Sequence, residues 1–139
     1  MIARAILDAS AAVHLVLNQA CAPQLAAKLE EVVVVTAPDL FCSEVANALW
    51  KYVKAGELSP DLAVPRLEEG LALVDSLIPE RLLAPEALVA AIRHQHSAYD
   101  MMYAVLARRS GAMVITMDRP FSLRLRDMEI ESFCPLIKV

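Results

Sequence analysis

The sequence predicts an α/β fold in which helices cover both faces of a mostly parallel sheet. Strand-like and helix-like runs alternate along the whole chain, the order that builds parallel sheets through helical crossovers. Val32-Val33-Val34-Val35-Thr36 is an unbroken β-branched run, as expected of a strand buried on both faces. Two other apolar runs each lead into an acid, Asp8 and Asp118, at the strand ends where such sheets bind ligands.

Ile2 to Leu7 is apolar apart from Arg4 and reads as the first strand. Asp8 or Ser10 then suits the cap of a helix carrying Ala11, Val13, Leu15, Val16 and Leu17. Asn18 to Pro23 interrupts it, and a second amphipathic helix spans Gln24 to Glu31 before the valine strand, which Pro38 ends. Asp39 suits the cap of a helix from about Leu40 to Ala55, whose Phe41, Val45, Ala48, Leu49, Tyr52 and Val53 recur at helical spacing. Gly56 stops it. Ser59-Pro60-Asp61 opens a further helix toward Asp75, in which Pro65 implies a later start or a bend. Pro79 restricts Leu77 and Ile78 to a short edge strand. Pro85 to about His94 is helical, and His96-Ser97 separates it from Ala98 to Ser110, which Gly111 stops. Ala112 to Thr116 is a buried strand, and the tail, with Ile130, Phe133, Leu136 and Ile137, supplies the last one.

At 139 residues, one domain over the whole chain is expected. The hydrophobic share is 58% and the aromatic share 5%, which predicts an Ala/Leu/Val interior with apolar surface left over for a partner. No long charge-free apolar stretch is present, and Asp8 arrives too early for a signal peptide, so a soluble cytoplasmic protein is expected, with no membrane partner. Cys21, Cys42 and Cys134 lack ligand spacing and read as buried thiols. The net charge of -4 excludes a uniformly basic nucleic-acid coat. A local one remains, because Arg108, Arg109, Arg119, Arg124 and Arg126 face only Asp118 within their span.

Asp8 and Asp118 project from the same sheet rim, while Glu44 and Asp100 lie in helices among apolar neighbours. Helix capping and the helix dipole offer structural reasons for acids at such places. Four carboxylates drawn together without a cation would repel and raise one another's pKa, whereas Mg²⁺ or Mn²⁺ accepts oxygen ligands of this kind. A pocket holding a divalent cation between Asp8, Glu44, Asp100 and Asp118 is therefore expected. His14 reads as a buried or partner-facing side chain, and His94 with His96 does not make a better metal site.

Four blocks carry a resemblance: Ile6-Leu7-Asp8-Ala9-Ser10-Ala11; Pro38-Asp39-Leu40 through Ser43-Glu44-Val45-Ala46-Asn47-Ala48-Leu49; Tyr99-Asp100-Met101-Met102-Tyr103-Ala104-Val105-Leu106-Ala107; and Val114-Ile115-Thr116-Met117-Asp118-Arg119-Pro120-Phe121. Their order and spacing resemble the PIN domain family, and within it the stand-alone ribonuclease toxins of VapBC toxin–antitoxin pairs. The resemblance implies a three-layer α/β/α sandwich around a parallel sheet of about five strands. It also implies Mg²⁺- or Mn²⁺-dependent cleavage of RNA, a homodimer, and a cognate antitoxin as inhibitor. On this reading Asp8, Asp100 and Asp118 hold the principal ion, and Glu44 binds a second ion or positions the attacking water. Ser10, Asn47 and Thr116 orient those groups, and Arg119 with Arg108, Arg109, Arg124 or Arg126 contacts RNA phosphates.

Other readings are an RNA-maturation nuclease without an antitoxin and a silent RNA- or protein-binding module of the same fold. An aspartyl phosphatase or phospho-receiver is disfavoured, because Ser10 stands where a second aspartate is needed and the only lysine after Lys54 is Lys138.

Overall fold

The structure, a computed structural model, describes residues 1–137, and Lys138 lies outside them. β1 (Ile2–Leu7), β2 (Val32–Pro38), β3 (Ser76–Ile78), β4 (Met113–Ile115) and β5 (Ser132–Phe133) form a sheet in the order β3-β2-β1-β4-β5. Every pairing is parallel. The order in which strands are added reverses between β1 and β4. That gap between outgoing crossovers is where open parallel sheets bind their ligands.

The helices are α1 (Ala9–Val16), α2 (Ala22–Glu30), α3 (Leu40–Lys54), α4 (Pro60–Leu71), α5 (Ala84–His94), α6 (Ala98–Ser110) and α7 (Arg119–Asp127). α6 is the central one. Its Met101 and its stretch from Tyr103 to Ala107 are buried against β1, β2 and β4. Gly111, at φ +60°, closes it in a left-handed turn that a side chain would strain. The interior joins Ile6, Leu7, Phe41, Leu49, Ile115 and Phe121 with many alanines, as the composition predicts.

Several expectations change, among them the last strand, which is confined to Ser132–Phe133. The valine strand is not buried throughout, because Val33 is 60% and Val34 37% exposed. The carboxyl-terminal half of β2, from Val35, lies within the core, as does that of β1 from Ala5, while Ile2 and Val32 pack against its edge and the two residues after each are exposed. α4 does not start late; it runs from Pro60 through Pro65 and ends at Leu71, short of Asp75. α7 occupies a stretch read above only as a charge run. Asp118 caps it, Pro120 sits in its first turn, and Phe121, Ser122 and Leu125 are its buried face.

Among the described residues, no helix is long and apolar enough to cross a membrane. The cysteines are free, but only Cys134 is the buried thiol expected of all three; Cys21 and Cys42 are half-buried.

Candidate active site

The β1–β4 register carries the site. Leu7 pairs with Ile115, so the next residues, Asp8 and Thr116, leave the sheet side by side, and the Asp8 N–H donates to the Ile115 carbonyl at 2.9 Å. Asp8 occupies the N-cap position of α1 but makes no side-chain cap hydrogen bond. Its Oδ2 instead accepts from Ser10 Oγ at 2.8 Å and from Thr116 Oγ1 at 2.7 Å. Each hydroxyl in turn accepts a backbone N–H from the loop after β4, Ser10 from Met117 and Thr116 from Asp118, both at 3.0 Å. The two hydroxyls thus relay the loop's N–H groups onto a carboxylate that is only 6% exposed.

The other acids are held in the same manner. Asp118 caps α7, its Oδ1 accepting from the Phe121 N–H at 3.0 Å. Glu44 lies in the second turn of α3, beyond the first-turn position where a helix dipole would account for it. Its Oε1 accepts from the hydroxyl of Tyr103 on α6 at 2.7 Å. Asp100, in the first turn of α6, has its Oδ2 against Nε2 of His96 at 2.7 Å. An ionised carboxylate only accepts, so Nε2 is the donor there.

All four acids line one cavity of about 370 Å³ together with Ser10, His14, Gln19, Ala48 and Tyr52. Among the described residues, each carboxylate has one oxygen held by the protein and a second that receives no hydrogen bond. No three acidic, histidine or cysteine side chains among them are already closed onto one point. The donor set nevertheless suits a hard divalent cation: oxygen ligands from four separate elements, one side of each pre-oriented, and no competing thiolate.

The electrostatics are those of acids withdrawn from water and crowded. Burial pushes Asp8 up to about 6, against which its two hydroxyl donors act, while Asp100 and Asp118 raise it further. Burial pushes Glu44 up to about 7; Tyr103 opposes this, and Asp8, Asp100 and Glu80 add to it. Asp100 is also raised, first by burial, with the His96 hydrogen bond opposing. A bound cation would relieve this repulsion directly.

The predicted acids are therefore brought together, and Ser10 and Thr116 orient Asp8. Asn47 does not join them. It is exposed on α3 and lies outside the cavity wall, which Ala48 forms instead. Arg119 is exposed on the first residue of α7, beside Asp118. Arg124 approaches Asp127 at 3.5 Å, and Arg126 lines a separate cleft with Gln24, Ser122 and Phe133. Arg108 and Arg109 lie at the far end of α6 from Asp100, about 12 Å along its axis. Glu86 takes both, with Arg109 Nε at 2.9 Å and Arg108 Nη2 at 3.5 Å.

Four neighbours of the acids escaped the sequence reading. Tyr103 follows Asp100 by three residues within α6, a spacing that brings both to one side of the helix, whereas His96 lies in the linker before α6, where no helical spacing points it at Asp100. Gln19 and Tyr52 form the cavity wall and bond to each other, Gln19 Nε2 donating to the Tyr52 hydroxyl at 2.8 Å. Nothing in their local sequence marks them. His14 also lines the cavity, but its Nε2 accepts the Cys21 N–H at 3.1 Å, and burial lowers its pKa. That occupies one of its two ring nitrogens.

Comparison with known proteins agrees with this geometry. The PIN domain family model matches residues 5–124. Over 116 residues the chain is 30% identical to Ribonuclease VapC3 of Pyrobaculum aerophilum, covering 82% of this chain and 88% of that protein. The crystal structure of PAE2754 from Pyrobaculum aerophilum superposes with a TM-score of 0.68 at 26% identity, over 89% of this chain and 87% of that one.

Proposed function

The chain belongs to the PIN domain family, and from that premise we propose that it is a metal-dependent endoribonuclease, the toxin of a toxin–antitoxin pair. The observation that carries the proposal is the cavity at the β1–β4 switch point, with four carboxylates each keeping one oxygen free. Asp8, Asp100 and Asp118 are the residues that would hold the principal ion, with Glu44 holding a second or positioning the attacking water. Bound there, Mg²⁺ or Mn²⁺ lowers the pKa of water and neutralises charge on the non-bridging phosphate oxygens.

The chain's own part is positional. Ser10 and Thr116 hold one oxygen of Asp8 and leave the other without a hydrogen bond, and Tyr103 does the same for Glu44. Arg119, with Arg124 and Arg126 on the same helix, offers cationic groups for phosphates approaching an acidic cavity. Arg108 and Arg109, engaged by Glu86, are the weaker candidates for that contact. Because the nucleophile is water and not a ribose hydroxyl, the products carry a 5′-phosphate and a 3′-hydroxyl.

The purified protein is expected to cut RNA with Mn²⁺ and to stop on addition of a chelator. Asp8→Asn and Asp100→Asn are each expected to lower the rate at least about a hundredfold while the protein stays folded. Undiminished cleavage by both folded variants would remove the assignment. Two observations favour protein partners, an antitoxin and a second copy of the chain. Trp50 and Val64 stand exposed along an apolar cleft between α3 and α4, and Leu88, Val89 and Ile92 are exposed on α5. Copurification of a small protein that blocks cleavage, and the mass of the isolated chain in solution, test them.

A further inference from the structure

We infer that His96 is a positioning residue for the cation site, and that Phe121 ties it to Asp118. The inference rests on reading Asp100 as a cation ligand. α5 ends at His94, and Gln95 takes a left-handed conformation at φ 51° that turns the chain toward α6. The His96 N–H donates back to the Ala91 carbonyl at 3.2 Å, fixing the backbone of the linker. The imidazole then meets Asp100 with Nε2 to Oδ2 at 2.7 Å, and neither side chain is more than 22% exposed.

The ring has a second neighbour. Its centroid lies 5.8 Å from that of Phe121, at 31° between planes, and Phe121 is fully buried. The backbone N–H of the same Phe121 donates to Asp118 Oδ1. One residue therefore braces two acids from different elements, Asp118 through its amide and Asp100 through the imidazole resting on its ring. A carboxylate held by a single side-chain donor loses its fixed orientation when that donor is removed. Loss of such an outer partner typically weakens metal binding by about 10- to 100-fold.

The test compares Mn²⁺ affinity, by calorimetry, and RNA cleavage kinetics for the parent, His96→Ala and His96→Gln. Glutamine carries an amide N–H that can replace Nε2–H, whereas alanine leaves Asp100 without a donor. His96→Ala is expected to bind Mn²⁺ about tenfold or more weakly and to lose kcat with little change in KM for RNA. His96→Gln is expected to recover most of both. Melting temperatures measured in chelator establish that each variant is folded.

If folded His96→Ala binds Mn²⁺ as tightly as the parent, the inference is wrong while the cation site stands. If folded His96→Gln is as weak as His96→Ala, the hydrogen bond is not the cause and the inference also fails. A parent protein that does not bind Mn²⁺ would instead remove the cation reading itself, and the inference with it.

Discussion

At the residue scale, the distinguishing arrangement is a buried carboxylate held by two hydroxyls. Thr116 is fully buried and both donates to Asp8 and accepts from the Asp118 N–H. Thr116→Val keeps the shape and removes both bonds, leaving a buried carboxylate short of a donor and an amide without an acceptor. It is expected to destabilise the fold by about 1–3 kcal/mol and to push Asp8 above its present value of about 6. Thr116→Ser keeps both bonds and should lie close to the parent. Urea denaturation of the two variants checks this, and equal stabilities for Val and Ser would show that the hydroxyl is dispensable. Ser10 was legible in the sequence because it sits two residues from Asp8, and Thr116 because it stands in the block that ends at Asp118, although the carboxylate it bonds lies 108 positions away. Tyr103 and His96 serve acids too. Tyr103 reaches Glu44 across 59 positions, a partnership no local pattern displays.

At the scale of elements, Asp118 has two functions that separate cleanly. It is the N-cap of α7, and it is one of the four cavity acids. Asparagine is as good a cap as aspartate, while alanine is not. Asp118→Asn is therefore expected to keep the parent's stability in chelator and to lose Mn²⁺ binding. Asp118→Ala should lose the binding and a further ~1 kcal/mol of stability. Thermal melts with and without Mn²⁺ separate the two effects. An Asp118→Asn protein that still gains the parent's full thermal shift with Mn²⁺ would reduce Asp118 to a cap alone. α7 itself went unread although its signals were present, a cap at Asp118, a proline two residues on, and Phe121 and Leu125 four apart. Arg108, Arg109, Arg119, Arg124 and Arg126 give this stretch the look of a charge run, whereas the buried face of α7 is set by the residues between the last three.

For the whole molecule, the sheet order brings several acids to one rim, and the fold bears the cost until a cation arrives. The pKa of Asp8 is raised from 3.8 to about 6 and that of Glu44 from 4.5 to about 7, in both cases chiefly by burial. The native state thus holds these protons more tightly than the unfolded chain does. Between about pH 4 and about pH 7 it carries more of them, so stability without metal falls as pH rises and the loss is complete above about pH 7. The Asp8 share is at most about 3 kcal/mol. Melting in chelator is expected at a higher temperature near pH 5 than near pH 8, with Asp8→Asn flattening much of the slope. Mn²⁺ should raise the melting temperature most at the higher pH, where the carboxylates are ionised and bind it best. A parent protein that gains stability with pH in chelator would contradict the burial of these charges.

The sequence by itself determined the alternation of strands and helices, the parallel sheet, and the four acids. Each of these is written in local terms: β-branched runs, helical periodicity, and acids within two residues of a strand end or within an apolar helix. Only the tertiary structure decided which oxygen of each acid is free, because that depends on donors from other elements. It likewise decided that Asn47 faces solvent, that Glu86 takes Arg108 and Arg109, and that the valine strand emerges from the core at Val33 and Val34. The physical reason is the same in each case. Periodicity reports that a residue belongs to an element, but orientation and burial are set by what packs against it, and that partner comes from a distant part of the chain.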